Sequence, residues 1–530
     1  MKIAICQTDT IIADFSGNSE KILAFSAKAK KAGAELVIFP ELCISAYPPM
    51  DLMADKHFIK KEEETFKDLV QKLPSSCCVV IGHIGKPASE TGQLLTNRLS
   101  VIQNNKLVFQ KDKENLPNHC FFNEKLWFTP GNNNNPIWTY KEKKIVIMQE
   151  EEPEQKHVKK ADLVIISANS AYEKEKLSQR IEYAKKWAAR TKHGLVFCNA
   201  AGAQDSLVFD GRSFFMNPLG EIMALAQFEE DLLVFDSDEA VKAASLPVPD
   251  KMDELENALI AGIKGYMNKC GFKKAHLGLS GGLDSAIVAV LAAKAIGKDN
   301  LCCITLPSRF SSASSIDDSM LLAKNIGCRI EKLSIEGPFS SFLTLFEPYF
   351  SGLPFNVAEE NLQARIRGNI LMAWSNKFDS MLLTTSNKSE FAMGYSTLYG
   401  DMCGSIAPMA DLFKTEVYAL CEHIYAREGL IPRSIIDKAP SAELRPGQLD
   451  EDSLPPYKIL DKILYLYLEQ ALSAEEISAM GFDKALVIRI ISYTIRAEYK
   501  RRQAALLIKT SKSPLAGPGI ARPLARKLLY

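Results

Sequence analysis

Short apolar runs alternate with stretches of helical periodicity through the first half of the chain. Lys2–Gln7, Glu35–Phe39, Cys78–His83, Leu99–Gln103, Lys144–Met148, Leu163–Ser167 and Leu195–Asn199 read as strands, and Ser19–Ala34, Lys60–Lys72 and Lys176–Lys192 as helices. That mixture predicts a layered α/β domain. Between Asp236 and Met252 the pattern lapses into Ala244-Ser245-Leu246-Pro247-Val248-Pro249-Asp250, a small-residue, proline-bearing stretch that reads as a linker. The expected division is a first domain over 1–243, a linker over 244–251 and a second domain over 252–530.

The second domain opens with a helix, Met252–Cys270. A strand (Ala275–Leu279), a glycine loop and a helix (Ser285–Ile296) follow. Strands at Leu301–Leu306, Ile330–Leu333 and Met381–Thr384 then alternate with helices at Ile316–Ile326 and Glu359–Lys377. This alternation predicts a doubly wound parallel sheet that takes its ligand at the carboxyl ends of the strands. The end of the chain, with Lys500-Arg501-Arg502 and Ser511–Tyr530, reads as basic and loop-like.

Composition narrows the function classes. A chain of 530 residues has room for two or three cores, and 47% hydrophobic with 24% charged residues is globular. Lys plus Arg and Asp plus Glu both total 64, so no overall field recruits nucleic acid or an anionic membrane. The twelve cysteines show no C-x-x-C spacing, and reduced core thiols are expected. Met1–Gln7 enters an apolar strand without the succession of a signal peptide, and no apolar run reaches membrane-spanning length. These features predict a cytoplasmic enzyme.

The candidate chemistry starts at Gly278-Leu279-Ser280-Gly281-Gly282-Leu283-Asp284-Ser285. Glycines between a strand and a helix let backbone N–H groups close around an anion at the helix N-terminus, and phosphate is the natural guest. Neither a Walker lysine nor G-x-G-x-x-G is present. The segment resembles the S-G-G-x-D-S loop of the PP-loop ATP pyrophosphatases. Further along, Asn361–Gly368, Thr384–Glu390, Tyr399-Gly400-Asp401, Pro440–Leu460 and Arg496–Gln503 resemble the NAD synthetase set.

That resemblance implies ATP-dependent amidation of deamido-NAD through an acyl-adenylate, with release of AMP and pyrophosphate. It casts Asp284 and Glu390 as Mg2+ ligands and Thr385 and Lys414 as groups at the ATP phosphates. Asn361, Arg365, Glu390 and Lys500 fall around deamido-NAD. It also implies a homo-oligomer.

The first half resembles the nitrilase-type glutaminase domain of glutamine-dependent NAD synthetases, an αββα sandwich. Phe39-Pro40-Glu41-Leu42-Cys43 places Glu41 at the family's general base, and Lys113-Glu114-Asn115-Leu116-Pro117-Asn118 places Lys113 at its lysine. Asn199–Glu221 also fits. Glutamine hydrolysis needs a cysteine thiolate, which stands in the family at the end of a strand in a segment like V-L-I-C-E-D-x-W. Here the segment is Ile145-Val146-Ile147-Met148-Gln149-Glu150, with no cysteine between Cys120 and Cys198.

Either Met148 or Gln149 holds the nucleophile's position, and neither a thioether nor an amide can form the thioester. The expectation is a domain without glutaminase activity, in which Glu41 and Lys113 persist as a buried ion pair, and a synthetase fed by ammonia. Three rival readings stand beside it. In one, Cys43, Cys120 or Cys198 is displaced into the nucleophile's role and glutamine is used. The others are a different PP-loop ligase and a non-catalytic regulatory paralogue.

Overall fold

A computed structural model describes residues 1–86, 95–131, 135–150, 155–240 and 246–524. The chain divides into two compact units, Met1–Lys251 and Met252–Tyr530. Ala244 and Ser245 of the expected linker, Glu151 and Glu152 after the nucleophile segment, and the last six residues of the basic C-terminus lie outside the described residues.

In the first unit two six-stranded sheets face each other. One runs in the order Asp231–Asp236, Lys2–Gln7, Leu36–Ile38, Cys78–Gly85, Thr96–Gln103, Lys106–Asp112. The other runs Ile222–Leu225, Phe214–Met216, Leu195–Asn199, Leu163–Ala168, Lys143–Gln149, Ile137–Tyr140. Side chains alternate across each pleat. Ile3 and Ile5 therefore meet Ile147, Ile165 and Phe215 between the sheets, while Ala4 and Cys6 face outward with Ile22 and Leu69 of the covering helices. Helices Phe15–Lys31 and Lys56–Lys72 cover the first sheet and Lys176–Ala188 the second, which completes an αββα sandwich.

The central strands pair in parallel and are buried on both faces, which is why they stand out as unbroken apolar runs. The edge strand Lys106–Asp112 does not stand out, because Leu107 and Val108 face solvent.

The second unit is built on four parallel strands ordered Arg329–Lys332, Leu301–Thr305, Ala275–Gly278, Met381–Leu382. In chain order these are the third, second, first and fourth. The winding direction therefore reverses between Ala275–Gly278 and Met381–Leu382, and a crevice opens beyond their carboxyl ends at such a switch point. Past this sheet the chain is mostly helical. Tyr457–Leu468, Ala474–Ala479 and Lys484–Arg496 pack around Leu460, Ile463, Ile477, Val487 and Ile491.

The loop-like reading near residue 500 is corrected here. Glu498–Arg501 is a helical turn, and Arg501 is buried, donating to the carbonyls of Phe391 and Thr494 and to Glu498. Its methylenes and guanidinium are absorbed by the helical core rather than offered to solvent.

Arg180, on helix Lys176–Ala188, is among the most deeply buried cations of the described residues. Its guanidinium grips Asp210 with two bonds of 2.8 Å, and Nη2 donates to the Ser170 carbonyl at 2.8 Å. Arg180→Met leaves Asp210 buried without its counter-charge, and denaturant unfolding followed by tryptophan fluorescence should show a loss of about 3–5 kcal/mol. Adding Asp210→Leu should restore most of that loss; if it restores none, the charge pairing is not the cause.

Candidate active site

Strand Ala275–Gly278 leads into the glycine loop. Gly281 sits at φ +78°, and a Cβ there would lie 2.2 Å from the carbonyl oxygen of Ser315. Only glycine permits both that backbone and that approach. Ser285 Oγ accepts from the Ser280 amide at 3.2 Å and donates to the Gly282 carbonyl at 3.0 Å, and Ser280 Oγ accepts from the Gly282 amide at 3.2 Å. The serines thus lock the turn while the helix Leu283–Ile296 presents its N-terminus to the crevice. A cavity of about 300 Å³ opens there, lined by Gly278–Ser280, Gly282–Ser285, Thr385, Glu390, Lys414 and the segment Lys438–Leu444.

One cluster of charges in this cavity is drawn from three separate stretches of chain. Lys414 Nζ contacts Asp284 Oδ2 and lies 3.8 Å from Glu390, and Asn387 Nδ2 donates to Asp284 Oδ1 at 2.9 Å. Burial pushes the Glu390 carboxyl well above its usual range, Asp284 pushes it further, and Lys414 pulls back. Lys414 is in turn held charged: burial opposes its ammonium, but the two carboxylates outweigh that.

Behind the cluster stands Asp461, which the sequence did not single out. Its carboxylate accepts Ser389 Oγ at 2.5 Å and the Thr415 amide at 2.8 Å, while Ser389 Oγ accepts the Lys414 amide at 2.9 Å. Asp461 therefore fixes the start of the helix that carries Lys414. Asp450, also unanticipated, lines the same cavity and accepts from Tyr457 Oη at 2.9 Å.

Asn361, Arg365 and Lys500 come together on one segment. Thr397 Oγ1 donates to Asn361 Oδ1 at 2.7 Å, Arg365 Nε donates to the Leu398 carbonyl at 3.2 Å, and Lys500 Nζ donates to the carbonyls of Gly394 and Ser396 at 2.8 and 2.6 Å. Burial lowers the Lys500 pKa, with Asp401 opposing. Glu390 belongs to the short helix just before that segment.

In the first unit Glu41 and Lys113 are 2.6 Å apart and almost wholly buried. Lys113 also donates to Glu124 at 2.9 Å, a second carboxylate with no sequence signal of its own; Tyr47 Oη donates to it at 2.9 Å. One ammonium thus serves two carboxylates, and burial raises the Glu41 pKa to about 7 against the pull of Lys113. Asn97 Nδ2 donates to Glu41 and to Glu124.

The pleat sends Met148 and Gln149 to opposite faces of the sheet. Met148 packs outward among Val146, Ile166 and Trp187. Gln149 turns the other way, and its Nε2 donates to the Asn97 carbonyl at 3.1 Å, the same oxygen that accepts the Lys113 amide at 2.8 Å. Cys43 Sγ instead faces the Gly82 carbonyl and Cys198 Sγ the Ile38 carbonyl, both at 3.5 Å. Burial pushes both thiols far above the range in which a thiolate forms. Cys120 packs against the cluster of Tyr47, Phe121 and Phe128.

Residues 2–244 match the carbon-nitrogen hydrolase family and residues 255–504 the NAD synthase family. The chain is 38% identical to the glutamine-dependent NAD(+) synthetase of Synechocystis sp., over 99% of this chain and 98% of that one. It is 35% identical to that of Thermotoga maritima over 96% of each. The solved glutamine-dependent NAD+ synthetase of Acinetobacter baumannii, in complex with ADP, is 32% identical and superposes with a TM-score of 0.78, covering 98% of both chains. That of Cytophaga hutchinsonii, 20% identical with a TM-score of 0.87 over 99% of this chain and 97% of that one, shares the fold. By identity sustained over its whole length, this chain belongs to the glutamine-dependent NAD(+) synthetase family.

Proposed function

We propose that the chain converts deamido-NAD to NAD by ATP-dependent amidation, and that its nitrogen arrives as ammonia rather than from glutamine. The synthetase reading rests on Asp284, Glu390 and Lys414 gathered at a phosphate-type loop on the switch point of a parallel sheet. The nicotinate carboxylate attacks the α-phosphorus of ATP, the bond to pyrophosphate breaks, and ammonia then displaces AMP from the acyl-adenylate, giving up a proton. Charge accumulates on phosphoryl oxygens in the first step. The amides of the glycine loop and the Lys414 ammonium are placed to meet it, with Thr385 beside them.

Asn361, Arg365, Lys500 and Glu390 orient deamido-NAD. Asp284 and Glu390 suit Mg2+, since both offer hard oxygens and burial, then Asp284, raises the Glu390 pKa, a penalty on its charge that a divalent cation offsets. Bound there, Mg2+ would neutralise phosphate charge and orient the leaving group.

The nitrogen source follows from Gln149. An amide stands where the family's thiolate belongs, beside an otherwise assembled Glu41–Lys113–Glu124 set. The readings with a displaced thiol lose support from Cys43 and Cys198, which are sealed against backbone carbonyls. We further infer a homo-oligomer, because helix Glu336–Phe350 buries only Phe339 and exposes Phe342, Leu345 and Tyr349. A cytoplasmic location suits twelve cysteines that all remain unbridged. No helix of the described residues is long and apolar enough to cross a membrane.

With deamido-NAD and ATP saturating, ammonium should sustain NAD formation while glutamine supports a rate at least about 10³-fold lower. Equal rates with the two donors would overturn the ammonia reading and leave the synthetase reading intact. Asp284→Asn keeps the shape of the side chain but removes its charge. It should lower kcat about 10²-fold or more and raise the Mg2+ concentration needed for half-maximal rate. An unchanged Mg2+ dependence would remove Asp284 from the metal.

A further inference from the structure

Three cations line the nucleotide cavity among the described residues: Lys414, Lys438 and Arg367. The first two are neutralised by protein. Lys414 has Asp284 and Glu390, while Lys438 pairs with Glu443 at 3.1 Å and donates to Ser315. Arg367 differs from both. Within the described residues its guanidinium makes one hydrogen bond, from Nε to the Leu306 carbonyl at 3.0 Å, and no ion pair. Its two terminal nitrogens have no hydrogen-bond acceptor among the described residues, and the side chain lines the cavity.

The side chain is firmly placed. It projects from helix Val357–Phe378 next to Gly368, where a Cβ would lie 2.8 Å from the Tyr399 carbonyl oxygen and 2.9 Å from that of Gly400, so the helix is pressed against this wall. Leu306 directly follows the strand Leu301–Thr305, neighbour of the strand that leads into the glycine loop. Arg367 thus reaches the same crevice as Ser280–Ser285, from a different helix than Lys414 does.

The acids nearest to it are already engaged. Glu443 accepts from Ser312 Oγ at 2.9 Å, Ser315 Oγ at 2.7 Å and Lys438, and Asp401 accepts from the Thr397 amide at 2.6 Å. Burial lowers the pKa of Arg367 to about 10, with Glu443 and then Asp401 only partly opposing. A partly desolvated guanidinium with four of its five N–H donors unmatched by protein is unfavourable in the empty protein. Its planar fork fits an oxyanion, which would complete it with two parallel, charge-assisted bonds.

We propose that Arg367 is a ligand-binding residue of this cavity, its guanidinium holding a phosphate oxygen of the bound nucleoside polyphosphate. The inference rests on the reading that the cavity takes ATP, and it assigns the phosphates a second cation independent of the Asp284–Glu390–Lys414 cluster.

The test compares wild type with Arg367→Met and Arg367→Lys in the full chain. It measures ADP affinity by calorimetry and melting temperature without nucleotide. Arg367→Met should weaken ADP about 10- to 100-fold, the worth of hydrogen bonds to a charged group. The same variant should melt, when empty, at or above the wild-type temperature, because a half-buried charge without a counter-ion among the described residues has been removed. Arg367→Lys should recover part of the affinity and not all, since it restores the charge without the fork.

Arg367→Met that binds ADP within twofold of wild type overturns the proposal. So does a variant that keeps its ADP affinity but loses deamido-NAD, which would give the guanidinium to the nicotinate carboxylate. A wild-type chain that binds no ADP overturns the nucleotide reading itself, and this inference with it.

Discussion

A buried lysine shared by two carboxylates organises the synthetase site. Lys414 lies between Asp284, at the start of the helix after the glycine loop, and Glu390, in the short helix beyond the fourth parallel strand. Glu390 is not stable as a lone carboxylate in that wall, since burial and then the neighbouring Asp284 favour its protonation. The lysine makes the pair tolerable, and through Ser389 and Asp461 its own helix is pinned to the core around Leu460 and Ile463. Sheet, glycine loop and helical core are thereby tied together at the wall of the cavity beyond the carboxyl ends of the strands. A site of this kind is preorganised, so little protein rearrangement opposes charge development.

The same device recurs in the first unit with a different outcome. Lys113 lies between Glu41 and Glu124, and Asn97 and Tyr47 complete the network. Such a network resists piecemeal loss, because deleting one member strands the others in low dielectric. Changing the nucleophile meets no such resistance. Gln149 keeps a hydrogen bond to the Asn97 carbonyl, although its own amide oxygen, like Asn97 Oδ1, is left without a donor. On the ammonia reading proposed above, the ion-pair geometry is retained beside an altered nucleophile position because the two kinds of change differ in cost.

Arg367 is the counterpart within the synthetase cavity. Lys414 and Lys113 are neutralised by protein carboxylates and therefore contribute to the fold even when the sites are empty. Arg367 lacks that internal partner among the described residues, so its charge is left for the ligand.

What could be read from the sequence was local. Parallel strands buried on both faces give unbroken apolar runs, so Leu163–Ala168, Leu195–Asn199 and Ala275–Gly278 were legible, whereas the half-exposed edge strand Lys106–Asp112 was not. The glycine loop was legible because its serines and glycines bond to one another within six residues.

The tertiary structure decided everything that depends on distant partners. Lys414 meets Asp284 across 130 residues and Glu41 meets Lys113 across 72, separations at which residue type alone does not say which charges pair. Glu124 and Asp461 carry no local pattern, and Arg367 was not singled out within the Asn361–Gly368 segment, since a lone charged residue reads as solvated surface until the fold gives it partners. Met148 and Gln149 stood as equal occupants of the nucleophile's position in sequence. The pleat of one strand, sending successive side chains to opposite faces of the sheet, separated them.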